Sequence, residues 1–429
     1  MVANLTTPLL GIVSTMAIGR LGDAALLGGV ALASVTLDCV LWLFGFLRMG
    51  TVALTAQALG AGDHLEVKAT PLRGLILAAG LGILLAATGS LLASPIFIAL
   101  GGSAAVVKAA ALYFAIRLLA APFTLGNLVL LGWFVGQARM KIALGLQVGI
   151  NLVNIALTLL FVLGLDLGIA GAALAAVIAE VSGFAAGALI AWGRLRGMHA
   201  LPPGRLLDRA RLTRMLAINR DIMIRTALLI GAFLMFTARS AREGDVVLAA
   251  NSVLNNVLMI GSFFLDGLAL SAEQLCGLFL GARDRAGFAR AVVLVRRWSL
   301  AFGAALTLAF LGFGTLLIDA LTTSAEVRQA AREALVLAAL GPGLGALAYC
   351  YDGVFIGAGW ASAMRNLMLA AFGIFLTAFV LLTPYGNAGL WWALLIFLAA
   401  RGLLQMARYP ALLRSAFAPV PLTPATARP

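Results

Sequence analysis

The sequence predicts an all-α integral membrane protein, with twelve transmembrane helices arranged as two parallel six-helix lobes. Three observations carry the prediction. Of 429 residues, 62% are apolar and only 11% charged, with a mean hydropathy of +1.05, whereas a soluble domain runs about 45–50% apolar and 25% charged. The apolar residues fall into a dozen runs, most near the roughly 20 residues that a bilayer-spanning helix needs. The two halves of the chain also repeat each other.

Runs bounded by Gly, Pro and charge predict spans at 1–18, 34–59, 72–99, 110–135, 142–163, 170–192, 217–239, 247–280, 296–318, 333–357, 366–383 and 389–408. The first begins without a positive n-region or a small-residue cleavage site, so it reads as a retained span rather than a signal peptide. Between the sixth and seventh spans lies GRLRGMHALPPGRLLDRARLTR, the longest polar stretch and the natural linker between halves. The expected organisation is an N-terminal lobe over 1–192, a basic linker over 193–216, a C-terminal lobe over 217–409 and a tail over 410–429.

Placing the linker in the cytoplasm puts 19 Lys and Arg in cytoplasmic loops and tail and five on the other side. That asymmetry satisfies the positive-inside rule with both termini cytoplasmic. The formal charge of +13 is therefore spread over alternate loops, unlike the single basic, aromatic-interleaved face of a nucleic-acid binder. Cys39, Cys276 and Cys350 sit inside apolar runs and offer no disulfide framework.

The repeat is visible in short matches at a near-constant offset. LGAGD at Leu59–Asp63 recurs as LGARD at Leu280–Asp284, and GWFVG at Gly132–Gly136 recurs as GVFIG at Gly353–Gly357, both 221 residues on; GIAG at Gly168 recurs as GNAG at Gly386, 218 on. Six spans per half is an even number, so the halves should be parallel, related by an axis along the membrane normal. A substrate path is expected between them.

A charge at mid-bilayer costs on the order of 2.5–3.5 kcal/mol on insertion scales, so each ionisable residue inside a span needs a partner, a wet cavity or a function. The set comprises Asp38, Arg48, Arg117 and Glu180 in the first half, and Asp221, Arg225, Asp266, Glu273, Asp352 and Arg401 in the second. Asp221 and Arg225, four apart, share a helix face; they read either as an intrahelical ion pair or as a carboxylate whose occupancy changes during transport, with the Arg tuning it. Asp266 and Glu273, seven apart, also share a face and have no basic residue within a turn. They suggest a watered lobe interior, or else pairing with Arg401 or Arg225 across the bundle. Asp352, before a Gly in YCYDGVFIGAG, fits a site acid or a helix-end structural group. Arg48, in FGFLRMGT, fits a partner for broken-helix carbonyls or a charge on the substrate path. Glu180 and Arg117, alone on their spans, read as structural.

No enzyme motif is present: HExxH, GxSxG and a Walker lysine are missing, and His64 and His199 fall in loops. The chain is therefore expected to be neither an enzyme nor, by itself, an ATP-driven pump, and to hold no cofactor or metal. A secondary transporter remains.

Several stretches resemble one family across essentially the whole chain: PLLGIVSTMAIGRLG, FLRMGTVALTAQALGAGD, GWFVGQAR, NLVNIALTLLFVLGL with GAALAAVIAE, INRDIMIRTALL, LDGLALSAE, and YDGVFIGAG with AMRN. They are similar to the multidrug and toxic compound extrusion (MATE) transporters, of the MOP superfamily shape, and within them to the DinF-like (DNA-damage-inducible) branch. The resemblance implies a multi-pass antiporter of a bacterial-type inner membrane. It would act as a monomer in the bilayer, exporting small organic compounds, usually amphipathic cations, in exchange for protons or sodium. It also implies that Asp221, Asp266, Glu273 and Asp352 are membrane-embedded acids of the C-terminal lobe and Asn154 a polar position of the N-terminal site. With Arg48 and Arg225 they complete the candidate site residues. Two departures stand out: Ser14 and Thr158 occupy positions where relatives carry Asp, and a hydroxyl cannot exchange a proton near neutral pH. Two other readings share the overall shape, a lipid-linked precursor flippase, which would need a more cationic cavity, and an uncoupled paralogue.

Overall fold

Short polar side chains at the turns start many of the helices. Asp23, Asp63, Ser103, Asp208, Asp284 and Ser324 each accept hydrogen bonds from backbone N–H groups of the first turn that follows, satisfying donors that a helix leaves open. The computed structural model describes residues 13, 14, 16–20, 23–196 and 201–418. Most of the first predicted span, His199 and the tail beyond 418 lie outside these.

The helices are α1 (Ala24–Leu43), α2 (Phe46–Gly60), α3 (His64–Ala99), α4 (Ala104–Leu118), α5 (Ala121–Gly136), α6 (Met140–Thr158), α7 (Gly168–Leu195), α8 (Arg209–Arg242), α9 (Asp245–Gly281), α10 (Arg285–Leu321), α11 (Ala325–Gly357), α12 (Ala361–Leu382) and α13 (Gly386–Ala416). A π turn, Leu159–Gly164, extends α6, and a single turn, Pro203–Leu206, interrupts the linker. Eleven of the predicted spans thus coincide with helices or helix pairs. Two are broken: α1 and α2 meet at Phe44–Gly45, and α4 and α5 are bent by 53° just before Pro122. Among the described residues nine stretches are long and apolar enough to cross a membrane, or ten with the bent pair counted as one span. One of the nine, Ala361–Ala416, contains both α12 and α13. These helices do not by themselves establish the count of twelve, because residues 1–12 are outside the description.

The repeat extends to backbone detail. Positive φ recurs at Gly62 (68°) and Arg283 (55°), and at Ala138 (60°) and Gly359 (70°), each pair 221 apart; Gly168 (55°) and Gly386 (57°) are 218 apart. Gly132 and Gly136 of α5 lie on the Arg48 and Val52 carbonyls of α2, while Gly353 and Gly357 of α11 lie on the Ala269 and Glu273 carbonyls of α9. Every one of those partners is shifted by 221. The GxxxG spacing works here as it does generally in membranes, by letting backbones approach without a Cβ between them.

Among the described residues the two lobes share a core at one end. Phe46, Leu47 and Leu125 pack in one cluster with Ile222, Cys276 and Phe355, near the end that carries the linker. Towards the far end each lobe has its own core, Val30, Phe97 and Phe114 in the first and Phe236, Phe375 and Trp391 in the second. Among the described residues the lobes are therefore closed on each other at the linker end and have separate cores towards the far end.

Candidate functional site

At the linker end α2 lies against α9 so closely that glycine is required. Gly60 rests on the Leu278 carbonyl and Gly281 on the Gln57 carbonyl, again a pair of contacts exchanged by the 221 offset. Gln57 ties the lobes further: its Nε2 donates to the Gly357 carbonyl (2.8 Å), and its Oε1 accepts from Arg214 Nη2 (2.7 Å). Deeper in, Arg48 of α2 reaches Glu273 of α9 at 3.7 Å, with the Glu273 side chain 2% exposed. This is an ion pair across the lobe boundary.

The linker is clasped to the N-terminal lobe. Asp63 pairs with Arg205 and, at 3.4 Å, with Arg211; Glu66 pairs with Arg211 and Arg73 at 2.5 Å. Arg73 is a buried residue of α3 and donates also to the Leu206 and Arg205 carbonyls; α3 begins at His64, a turn and more before its apolar run.

The four carboxylates of the C-terminal lobe fall into different environments. Asp352 is buried and accepts from Arg225 Nη2, from Arg401 Nη2 at 2.7 Å and from Gln405 Nε2 at 2.7 Å. Asp221 and Arg225 share a face but not a bond: Asp221 Oδ1 accepts from Arg365 Nη1 at 2.7 Å and from its neighbour Arg220 at 3.0 Å. Arg225, a turn deeper, reaches Asp352. Asp266, half-buried, forms no ion pair within 4.0 Å among the described residues, although it lies within electrostatic reach of Arg225 and Glu273. Neither Asp266 nor Glu273 takes Arg401 or Arg225 as a direct partner. Asp352 is fully engaged, so an arriving cation would have to displace an arginine, whereas Glu273 has one long contact and Asp266 none.

The N-terminal lobe is built on amides and hydroxyls. Asn151, Asn154 and Thr158 are buried along one face of α6, and Thr158 Oγ1 donates to Asn154 Oδ1 at 3.1 Å. Ser14 is helical and half-buried. Asn127 Nδ2 donates to the Glu180 side chain at 2.8 Å. Residue-by-residue reading missed Arg401 and Gln405 as Asp352 partners, and Gln57 as the inter-lobe bridge. Arg401 and Gln405, four apart on α13, carried a signal in their shared face; a lone Gln57 near a helix end carried none.

Two lobes of parallel topology, closed at one end over a charged interior, define a multi-pass membrane transporter. A family model, MatE, matches residues 1–160 and 222–382, and the chain belongs to that family of multidrug and toxic compound extrusion transporters. It is 39% identical over 410 residues to the DNA damage-inducible protein F of Escherichia coli K12, covering 94% of this chain and 88% of that one. Among solved structures it resembles the Vibrio cholerae MATE transporter VcmN in its bent form, with a TM-score of 0.86 at 21% identity, covering 96% of this chain and 94% of that one. It also resembles a MOP superfamily transporter from Pyrococcus furiosus, whose binding pocket is described as reversed in polarity, with a TM-score of 0.87 at 18% identity, covering 98% and 94%. The family's members are transporters rather than enzymes.

Proposed function

We propose that this protein is a secondary active exporter of amphipathic organic compounds, organic cations foremost, exchanged for protons or sodium at Glu273 and Asp266. The observation that carries the reading is the Arg48–Glu273 pair across the lobe boundary, close to Asp266, which lacks an ion-pair partner among the described residues. A proton or cation on Glu273 would release Arg48 and loosen the closed end, so occupancy and opening are linked through one ion pair. The moving bodies are the lobes over 1–192 and 217–409, the linker side is cytoplasmic, and the protein works as a monomer in a bacterial-type plasma membrane. The ionisable residues inside the spans are six acids, Asp38, Glu180, Asp221, Asp266, Glu273 and Asp352, against four arginines, Arg48, Arg117, Arg225 and Arg401. That balance disfavours a flippase for pyrophosphate-linked lipids, which needs excess positive charge.

The test is efflux of a fluorescent organic cation from proteoliposomes under an imposed pH or sodium gradient. Wild type should respond to one gradient, and Glu273→Gln and Asp266→Asn should lose that response. Transport indifferent to both gradients would sink the coupling assignment.

A further inference from the structure

We infer that the linker-side end of α10 carries a docking site for anionic phospholipid headgroups, on the outer surface of the C-terminal lobe and away from its charged interior. Helix α10 runs 37 residues, Arg285–Leu321, about 55 Å of rise, against the roughly 30 Å of a bilayer's hydrocarbon core. The stretch from Trp298 to Leu321 accounts for about 36 Å of that rise. The first turns, Arg285 to Arg297, therefore stand at headgroup level on the linker side.

Arg290 and Arg297 are seven apart, about 10.5 Å along the axis. At 100° per residue both fall within roughly 30° of the centre of a stripe marked by Leu294, Leu300, Leu308 and Leu311, all exposed. Phe288, Val295 and Ser299 mark the buried face opposite. An exposed leucine stripe on a spanning helix faces lipid, so the two guanidinium groups project among headgroups. Trp298, 53% exposed beside Arg297, stands where interfacial aromatic residues collect.

No acid neutralises these arginines. Arg285, Arg290 and Arg297 are exposed and form no ion pair among the described residues. Arg408 and Arg414, near the end of α13, are exposed and unpaired in the same way. The end of α13 meets the start of α10 through Phe417 and Phe288, whose ring centres are 5.6 Å apart. Asp284, in the turn before α10, is engaged as its N-cap, accepting from the Gly287 N–H at 2.8 Å. By contrast, linker-end arginines that face protein are paired, as Arg211 is with Glu66 and Arg365 with Asp221.

Carried back along the repeat by 221 residues, Arg290 corresponds to Ala69 and Arg297 to Ile76, so α3 has no charge at either place. Membrane orientation by loop charge asks for an excess of Lys and Arg on one side. It does not ask that they stand on the lipid-facing stripe of one helix in one lobe. A guanidinium takes a phosphate oxygen pair in a fork and is less strongly hydrated than an ammonium, and basic clusters beside a span attract anionic lipid. The occupant is an anionic glycerophospholipid, its phosphate between Arg290 and Arg297 and its acyl chains along Leu294, Leu300 and Leu308.

The full-length protein in detergent, titrated with phosphatidylglycerol or phosphatidylcholine, tests the site, with bound lipid counted by native mass spectrometry. Wild type should retain phosphatidylglycerol in preference. The double variant Arg290→Gln/Arg297→Gln should bind it on the order of tenfold more weakly. Arg139→Gln/Lys141→Gln removes two exposed charges from the linker end of the other lobe and should leave the preference intact. Unchanged retention in the first pair, or an equal loss in both pairs, overturns the inference and leaves only diffuse surface charge. A second measurement leaves the arginines in place: brominated phosphatidylglycerol should quench Trp298, read as the difference between wild type and Trp298→Phe, more than brominated phosphatidylcholine does. Equal quenching by the two lipids overturns the inference as well. Neither measurement reads transport, so the site and the coupling assignment fail separately.

Discussion

The two lobes share a backbone and differ in what they bury. Carried along the repeat offset of 221, Glu273 corresponds to Val52 and Asp352 to Leu131; carried along the offset of 218, Arg401 and Gln405 correspond to Gly183 and Gly187. Where the C-terminal lobe packs a guanidinium and an amide onto a carboxylate, the N-terminal lobe packs glycines against Ile150 and Leu130. Glu180, at the same offset, stands opposite Leu398. The repeated features are those of main-chain geometry, namely caps, left-handed turns and GxxxG contacts, while the buried charges are private to each lobe. A duplicated scaffold therefore preserves how helices approach and leaves free what they enclose.

The sharpest way to break this comparison is to remove one partner of the private charges. Arg401→Leu leaves Asp352 buried with one arginine fewer, and breaking a buried ionic network on one side costs on the order of 3–5 kcal/mol. The thermal midpoint in detergent should fall steeply, while the N-terminal lobe, which has glycine at the matching place, tolerates Gly183→Ala with a smaller loss set by Ile150. A midpoint for Arg401→Leu close to wild type would mean that the network is hydrated rather than packed.

The shared features predict a second, intermediate effect. Gly281→Leu and Gly60→Leu should each abolish transport in a protein that still folds, because a side chain at either place holds the Gln57 or Leu278 carbonyl away. Cysteine labelling from the linker side at a position such as Ala56 should become faster in both. Normal transport in either variant would show that the linker-end closure is not part of the cycle.

The smallest expected effect separates shared from private at a single turn. Asp63 and Asp284 are matching N-caps, and losing such a cap costs about 1 kcal/mol. Asp63 also holds Arg205 and Arg211, so Asp63→Ala should destabilise more than Asp284→Ala, and chemical denaturation of the two would isolate the contribution of the linker clasp. Equal losses would assign that clasp no net stability.

Much of the scaffold was legible because the bilayer demands a long apolar run for each helix, whereas the breaks at Gly45 and before Pro122 were not, since each falls inside an apolar run that reads as one span. Helix ends were not, since His64–Thr70 and Arg209–Ala217 are helical turns beyond the apolar slab, stabilised by Asp63, Glu66 and their arginines rather than by hydropathy. The site was legible in its acids and not in their partners. Spacing says which residues share a face, as Asp221 and Arg225 do, but not what that face meets; Arg365 and Asp352 come from helices more than 120 residues away in sequence.

The reciprocal seating of Gly60 and Gly281 bears on leakage. Two carbonyls against two glycines contain no side chain that could rotate aside and admit a proton or ion while the helices stay in place. Such a seam parts only when α2 and α9 move as bodies, and both halves of it part together. The barrier on the linker side is then nearly binary, which suits a machine that must not let its driving gradient run down unproductively between turnovers.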